Sequence, residues 1–236
     1  MQPYPMAASV AIADILTGLR RRVEVAAVTP QAVYLATGDP ETPALCLAGP
    51  AAVRVPCALV LAQPPPRLSG AGAVGDGEVT VGEFRARVAR WWRPRAVRVF
   101  TTGVRPEHGA DPELDGLVDA LASGAPLDVP VLRLLGRGPG LTPLGDDILA
   151  GALVTLAALG VPAFHRLRRV VREYAPSRTT FVSYVLLHHA ARGECVPELA
   201  DFLAGGPADA LLRVGHSSGA GLLRGAVAAT SLGALR

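Results

Sequence analysis

Four short apolar runs follow one another early in the chain: VEVAAV (Val23–Val28), AVYLAT (Ala32–Thr37), ALCLAG (Ala44–Gly49) and CALVLA (Cys57–Ala62). Turn residues bound them: Thr29-Pro30, Gly38-Asp39-Pro40, Gly49-Pro50 and Pro64-Pro65-Pro66. The gaps leave no room for the crossover helices that join parallel neighbours, so the pattern predicts an antiparallel sheet or a small barrel. A helix is expected before these strands, from about Ala7 to Arg21. After a loose Gly-rich segment, Leu68–Gly77, the reading is a second helix over Val81–Trp92 and a further strand at RAVRVF. Asp111-Pro112 then opens a short helix ending near Gly124.

From Pro143 the period becomes helical almost to the end. Helices are expected at Pro143–Leu159, Pro162–Tyr174, Arg178–Arg192, Pro197–Leu203, Ala208–Val214 and Ser218–Leu232, with Pro at first-turn positions and Gly193 and Gly205 near ends. Strands followed by helices give an α+β class. The expected division is a β-rich part, 1–128, and a helical part, 129–236, each long enough for its own core within 236 residues.

Half of the residues are hydrophobic, so membrane insertion has to be tested. The best candidate, Ile148–Phe164, falls short of the roughly 20 apolar residues a span needs. Gly160 and Pro162 break it, and Asp146 and Asp147 stand at its start, so it reads as a buried helix. At the N-terminus the arginines follow the apolar stretch and Asp14 interrupts it, unlike a signal peptide, and a cytoplasmic protein is expected. All 23 basic residues are arginine, the net charge is +3 and aromatics are 5%. No basic tract interleaved with aromatics occurs, which argues against nucleic-acid binding. Arginine favours bidentate capture of small anions. Cys46, Cys57 and Cys195 lack metal-ligand spacing and read as reduced, buried thiols.

LLGRGPGLTPLGDDILAG (Leu134–Gly151) packs glycines and prolines around a threonine and two adjacent aspartates. With Thr142 as N-cap, Pro143 falls at N1, and Asp146 and Asp147 follow in the first turn and a half. Gly138 and Gly140 let a ligand approach the backbone closely, as in a phosphate loop. The Walker ending is absent. A tight turn with carboxylates favouring the helix dipole explains the same residues. The aspartates conflict with a bound anion. A divalent cation would resolve this, as would an arginine partner, or one aspartate turned inward to hold neighbouring loops, since adjacent helical residues differ by about 100° in direction.

Two other helix starts share this chemistry. PSRTTFVSY offers Ser177 as a cap, then Arg178, Thr179, Thr180 and Ser183, whose hydroxyls fall at i,i+3 and i,i+4 spacing. VGHSSGAGLLRG places His216, Ser217 and Ser218 before the last helix. Ordinary capping explains each start alone, while three in one helical segment point to a shared anionic ligand. Asp146, Asp147 and His216 are the candidate catalytic residues. Gly138, Gly140, Thr142, Arg178, Thr179, Thr180, Ser183, Ser217 and Ser218 are the candidate binding residues. His188-His189 reads as a core or surface pair.

GRGPGLTPLGDDILAG, SRTTFVSYVLLHHAARG and GHSSGAGLLRG, in this order and spacing, resemble the signature blocks of the AllH family. The resemblance is strongest over Leu134–Gly225, with RVARWWRPR the anchor in the N-terminal half. It implies a subunit of oxamate carbamoyltransferase that works with FdrA-like and AllG-like subunits in anaerobic allantoin breakdown, on carbamoyl phosphate, oxamate or oxalurate. Leu144 stands where the family has a small hydroxyl residue, and Gly221 where an aspartate is expected. Carbamoyl transfer between anions needs positioning and stabilisation of oxygen-centred charge. No Ser-His-Asp or Cys-His arrangement is legible, so covalent catalysis is not expected. Two alternatives stand beside this reading: a metal-dependent hydrolase or transferase acting alone, with a divalent cation on Asp146 and Asp147, and a non-catalytic scaffold.

Overall fold

The computed structural model describes residues 2–100 and 111–233. It divides into two compact units, Met1–Pro94 and Arg95–Arg236.

The first unit is a closed barrel of eight strands: β1 (Tyr4–Ser9), β2 (Arg21–Val28), β3 (Ala32–Ala36), β4 (Ala44–Ala48), β5 (Ala58–Leu61), β6 (Ala71–Gly75), β7 (Glu78–Val81) and β8 (Phe84–Trp92). The order around the barrel is β1-β5-β4-β3-β2-β6-β7-β8. The β1–β8 and β4–β5 pairings are parallel and the others antiparallel. The parallel pairing of Tyr4 with Ala86 and Met6 with Val88 closes the ring and removes the exposed edges of an open sheet. Met6, Leu35, Leu45, Leu47, Leu59, Val74 and Val79 are buried in this unit.

Several expectations are corrected here. Val81–Trp92 is not a helix. Phe84 and Ala86 are buried while Arg85 and Arg87 are exposed, a period of two that only a strand satisfies. The Gly-rich segment contains β6, joined to β7 by Asp76-Gly77, both at positive φ (54° and 75°) as a tight hairpin turn requires. The helix expected over Ala7–Arg21 shrinks to α1 (Ala13–Thr17), preceded by a 3₁₀ turn at Val10–Ile12. Met6–Ala8 pair with β5 and β8, and the Ser9 hydroxyl accepts the Ala11 N–H at 3.2 Å to cap the turn. Arg95–Phe100 forms no strand; its Phe100 N–H donates to the Leu203 carbonyl at 3.0 Å.

The second unit contains α2 (Pro112–Ser123), α3 (Asp128–Leu134), α4 (Leu144–Leu159), α5 (Ala163–Arg178), α6 (Phe181–Ala190), α7 (Pro197–Leu203), α8 (Asp209–Leu212) and α9 (Ser218–Gly233). α4 is buried from Gly145 through Leu156, as the apolar run predicts for a central helix. Among the described residues, no helix is long and apolar enough to cross a membrane. α9 lies directly against α4. A Cβ on Gly225 would stand 1.9 Å from the Ile148 carbonyl oxygen, and one on Gly151 would stand 2.2 Å from that of Leu222. Only glycine lets the two backbones meet at this separation.

Candidate functional site

The loop Gly136–Pro143 joins α3 to α4 and touches the starts of α6 and α9. Its shape depends on glycine. Gly138 has φ of 121°, and a Cβ there would stand 2.9 Å from the Leu144 nitrogen. Thr142 is not the cap of α4; Pro143 occupies that position, and Leu144 opens the helix. The Thr142 hydroxyl instead meets the Ser218 hydroxyl at 2.9 Å, tying the loop to α9. Ser177 is not a cap either, because α5 continues through Arg178. Thr180 caps α6, accepting the Ser183 N–H at 3.1 Å, and donates its hydroxyl to the Leu141 carbonyl. The starts of α4, α6 and α9 therefore converge on one loop.

The two aspartates divide their tasks. Asp146 is buried and turned inward. It accepts the Gly136 N–H at 2.8 Å and the Thr179 hydroxyl, so both of its oxygens hold neighbouring segments. Burial raises its pKa, and the Thr179 and Gly136 hydrogen bonds oppose that rise. Asp147 is also buried, on the side of α9. The Ser218 hydroxyl acts on it as a donor, but Oδ2 is buried with no hydrogen-bond partner. Burial is the main cause that pushes its carboxyl up to about 7; the Asp146 charge adds to this and Ser218 opposes it. The Ser183 hydroxyl lies close to Asp146 and is a second buried oxygen here without a well-formed hydrogen bond.

The amide groups are less available than the loop composition suggests. The Gly145 N–H donates to the Arg137 carbonyl at 2.9 Å, and the Asp146 N–H to that of Pro143 at 3.0 Å. The hydroxyl left for an incoming group is therefore that of Ser183, because Ser218 donates to Asp147 and Thr142 is bonded to Ser218. Gly140 has open space around its Cβ position. Ser217 is partly exposed just before α9, while His216 and Arg178 are exposed. Among the described residues, no group of three or more His, Cys, Asp and Glu is arranged to hold a metal ion.

An ionic clamp that the sequence reading missed supports the loop from behind. Arg137 donates bidentately to Asp111, at 2.9 and 2.8 Å, and also to Glu113 at 3.0 Å. Arg224 of α9 donates to the same Asp111 carboxylate, which also caps α2 through the Leu114 N–H. Asp111-Pro112 was legible as a helix start, but nothing local marked Arg137 and Arg224 as its partners. Arg137 is held in this clamp through both terminal nitrogens, whereas Arg224 gives it one, and the buried Arg224 Nε has no hydrogen-bond partner.

The other chemistry-bearing groups lie elsewhere. Burial pushes the Cys46 and Cys195 thiols up to about 12, so neither supplies a thiolate at neutral pH. His189, buried near the end of α6, is held by Glu194 at 2.6 Å. A cavity of about 310 Å³ in the barrel unit is lined by Tyr4, Leu61, Gln63, Pro66 and Phe84 among others; no lining residue is charged, which does not suit an anion.

Residues 134–230 match the AllH family, described as oxamate carbamoyltransferase subunit AllH. The match takes in the loop and the starts of α4, α6 and α9. Comparison with curated proteins and with solved structures gives no match. Leu144 and Gly221 are neighbours in space. A Cβ on Gly221 would stand 2.6 Å from the Asp147 Cβ and 3.1 Å from Leu144 Cδ1. Asp147 and the Leu144 carbonyl oxygen, at 3.0 Å, thus leave little room for a side chain at 221 whatever residue stands at 144.

Proposed function

We propose that this chain is an AllH-like subunit of an oxamate carbamoyltransferase-type complex, and that it binds a small anionic substrate where α4, α6 and α9 begin. The observation that carries this reading is the junction itself. The family match spans all three helix starts, and two buried oxygens there, Asp147 Oδ2 and Ser183 Oγ, lack partners. Buried polar groups without partners are rare and mark places where a ligand completes the hydrogen bonding. Ser183 supplies a hydroxyl, Thr142 and Ser218 tie the loop to α9 beside it, Gly138 and Gly140 leave the loop backbone approachable, and Asp146 and Thr179 hold the loop in place. Thr180 fixes the α6 start, and Arg178, Ser217 and His216 stand on more exposed positions near these starts. The site orients its ligand and stabilises charge; no nucleophile is assigned. FdrA-like and AllG-like subunits are the proposed partners.

The test is thermal unfolding of the chain, alone and with those subunits, in phosphate, carbamoyl phosphate, oxamate and oxalurate. A ligand at 100 times its Kd stabilises by about 2.7 kcal/mol. Ser218→Ala should reduce the effect. Absence of any shift in every combination would overturn the anion site.

A further inference from the structure

We propose that Asp147 binds the anion in its protonated form, its Oδ2 donating to the ligand the hydrogen bond that it lacks in the free protein, so that binding takes up one proton. This rests on the anion site proposed above and states how that site tolerates a carboxylate.

The geometry leaves few alternatives. Asp146 has both oxygens engaged within the protein, whereas Asp147 Oδ2 is buried and unpartnered. An ionised Asp147 would present an uncompensated negative charge to an incoming anion. Among the described residues, no arginine pairs with either aspartate. Arg137 on the loop and Arg224 on α9 are held by Asp111, and Arg178 at the end of α5 is exposed. The first-turn amides of Gly145 and Asp146 are already engaged. A carboxylic acid changes the balance: it carries no charge and has one O–H to donate. Ser218 holds the side chain from α9, and Gly221 leaves room beside its Cβ.

The electrostatic surroundings agree. Burial already pushes the Asp147 carboxyl up to about 7, and a bound anion would raise it further. The charge acting on it within the protein is that of Asp146. The remaining ionisable groups on the loop, α6 and α9 are Arg137 and Arg224 of the clamp, Tyr184, and His188 and His189 near the far end of α6; α3 adds Asp128 and Arg133, α5 adds His165, Glu173, Tyr174 and its arginines down to the exposed Arg178, and His216 is exposed before α9.

Oxamate and sulfate remain ionised without further titration between pH 5.5 and 8.5, so they are suitable probes. Their binding to the chain, alone and in the full complex, is measured by calorimetry across that range in two buffers of different ionisation enthalpy. The expected result is flat affinity at the acid end and about a tenfold weakening per pH unit toward the alkaline end, with uptake of close to one proton at pH 8. Asp147→Asn, whose amide donates without titrating, should bind at pH 8.5 as the wild type does at pH 5.5. Histidine titrates in the same range, so His216→Gln serves as a control and should keep the wild-type slope. Binding that is independent of pH, or without proton uptake at pH 8, overturns the proposal while leaving the anion site intact. So does a slope that survives Asp147→Asn or vanishes in His216→Gln. If neither anion, nor any of the four tested above, binds the folded protein at any pH, the anion site itself fails, and this proposal with it.

Discussion

Gly225→Ala should destabilise the helical unit although alanine is the better helix former. The added Cβ would stand 1.9 Å from the Ile148 carbonyl oxygen, 2.8 Å from its carbon and 3.0 Å from the Ala152 nitrogen. All three are backbone atoms of α4, so no side-chain rotation relieves the overlap. The oxygen contact falls more than an ångström inside the 3.0 Å limit that real Cβ contacts respect. The helices must part, and a gap of roughly 1 Å forfeits a quarter to a half of each contact energy. That loss runs along a face where Ile148, Leu149, Ala152, Leu222 and Ala226 are all buried. Overpacking of this kind costs about 1–3 kcal/mol or more, while helix propensity returns at most about 1 kcal/mol. A net loss of about 1–2 kcal/mol should lower the melting temperature by roughly 2–8 °C. Gly116→Ala is the internal control. It lies in α2, is exposed, and a Cβ there meets nothing within 4 Å, so that variant should gain about 0.5–1 kcal/mol. Urea and thermal unfolding followed by far-ultraviolet circular dichroism read both. A Gly225→Ala variant as stable as the wild type, or two variants shifted alike, would refute the argument from close helix approach.

Asp111 and Asp147 give opposite pH dependences. The Arg137 hydrogen bonds, with the Leu114 N–H and the Arg224 charge, hold the Asp111 carboxyl below its usual range against the effect of burial. Its stabilisation is therefore present above about pH 4 and is lost as the pH falls further. Asp111→Asn should cost about 3 kcal/mol at pH 7, because Arg137 and Arg224 lose their shared partner. The gap should narrow in acid, and an equal loss at pH 2 and pH 7 would count against the clamp. Asp147 is raised instead, so the folded state holds its proton more tightly than the unfolded one. Stability is full below about pH 4 and declines through pH 7, by something on the order of 4 kcal/mol. Free Asp147→Asn protein should be more stable than the wild type at pH 8 and converge with it near pH 4, a comparison that melting curves across pH make directly.

The barrel was only half visible in the sequence, for a physical reason. β2 to β5 are bounded by turn residues and follow one another around the barrel, and local signals found them, although β4 and β5 pair in parallel and β2 and β5 pair on their other sides with the distant β6 and β1. Closure depends on β1 pairing in parallel with β8, some eighty residues away, and no local pattern encodes that. The β6–β8 meander was legible in principle, because Asp76-Gly77 is a hairpin signal and Arg85 and Arg87 alternate with Phe84, Ala86 and Val88. The abundance of glycine around the first and the charge density of the second obscured both. α3 was not foreseen because the expected division between the two parts fell on it; its Pro130 stands in the first turn, where proline is tolerated.

At the site, sequence located the helix starts but not the division of labour among their residues. Caps, glycines and first-turn carboxylates are local signals, and all three starts stand within a residue or three of their expected positions. Which aspartate faces the loop and which faces α9 follows from the 100° step between adjacent helical residues, and its sense is fixed only once α9 lies against α4. That contact depends on Gly151 and Gly225, which carry no chemistry. The Asp111 clamp is more remote still, joining residues 26 and 113 positions apart. It nevertheless bears on the site, because it draws Arg137 and one terminal nitrogen of Arg224 to Asp111 rather than to the aspartates. A carboxylate pair at a helix start would ordinarily suggest a metal or an arginine as its counterpart. Here Arg137 and Arg224 pair with Asp111 and Asp146 is engaged within the fold, and the protonation proposed for Asp147 answers the lack of a counter-charge beside it.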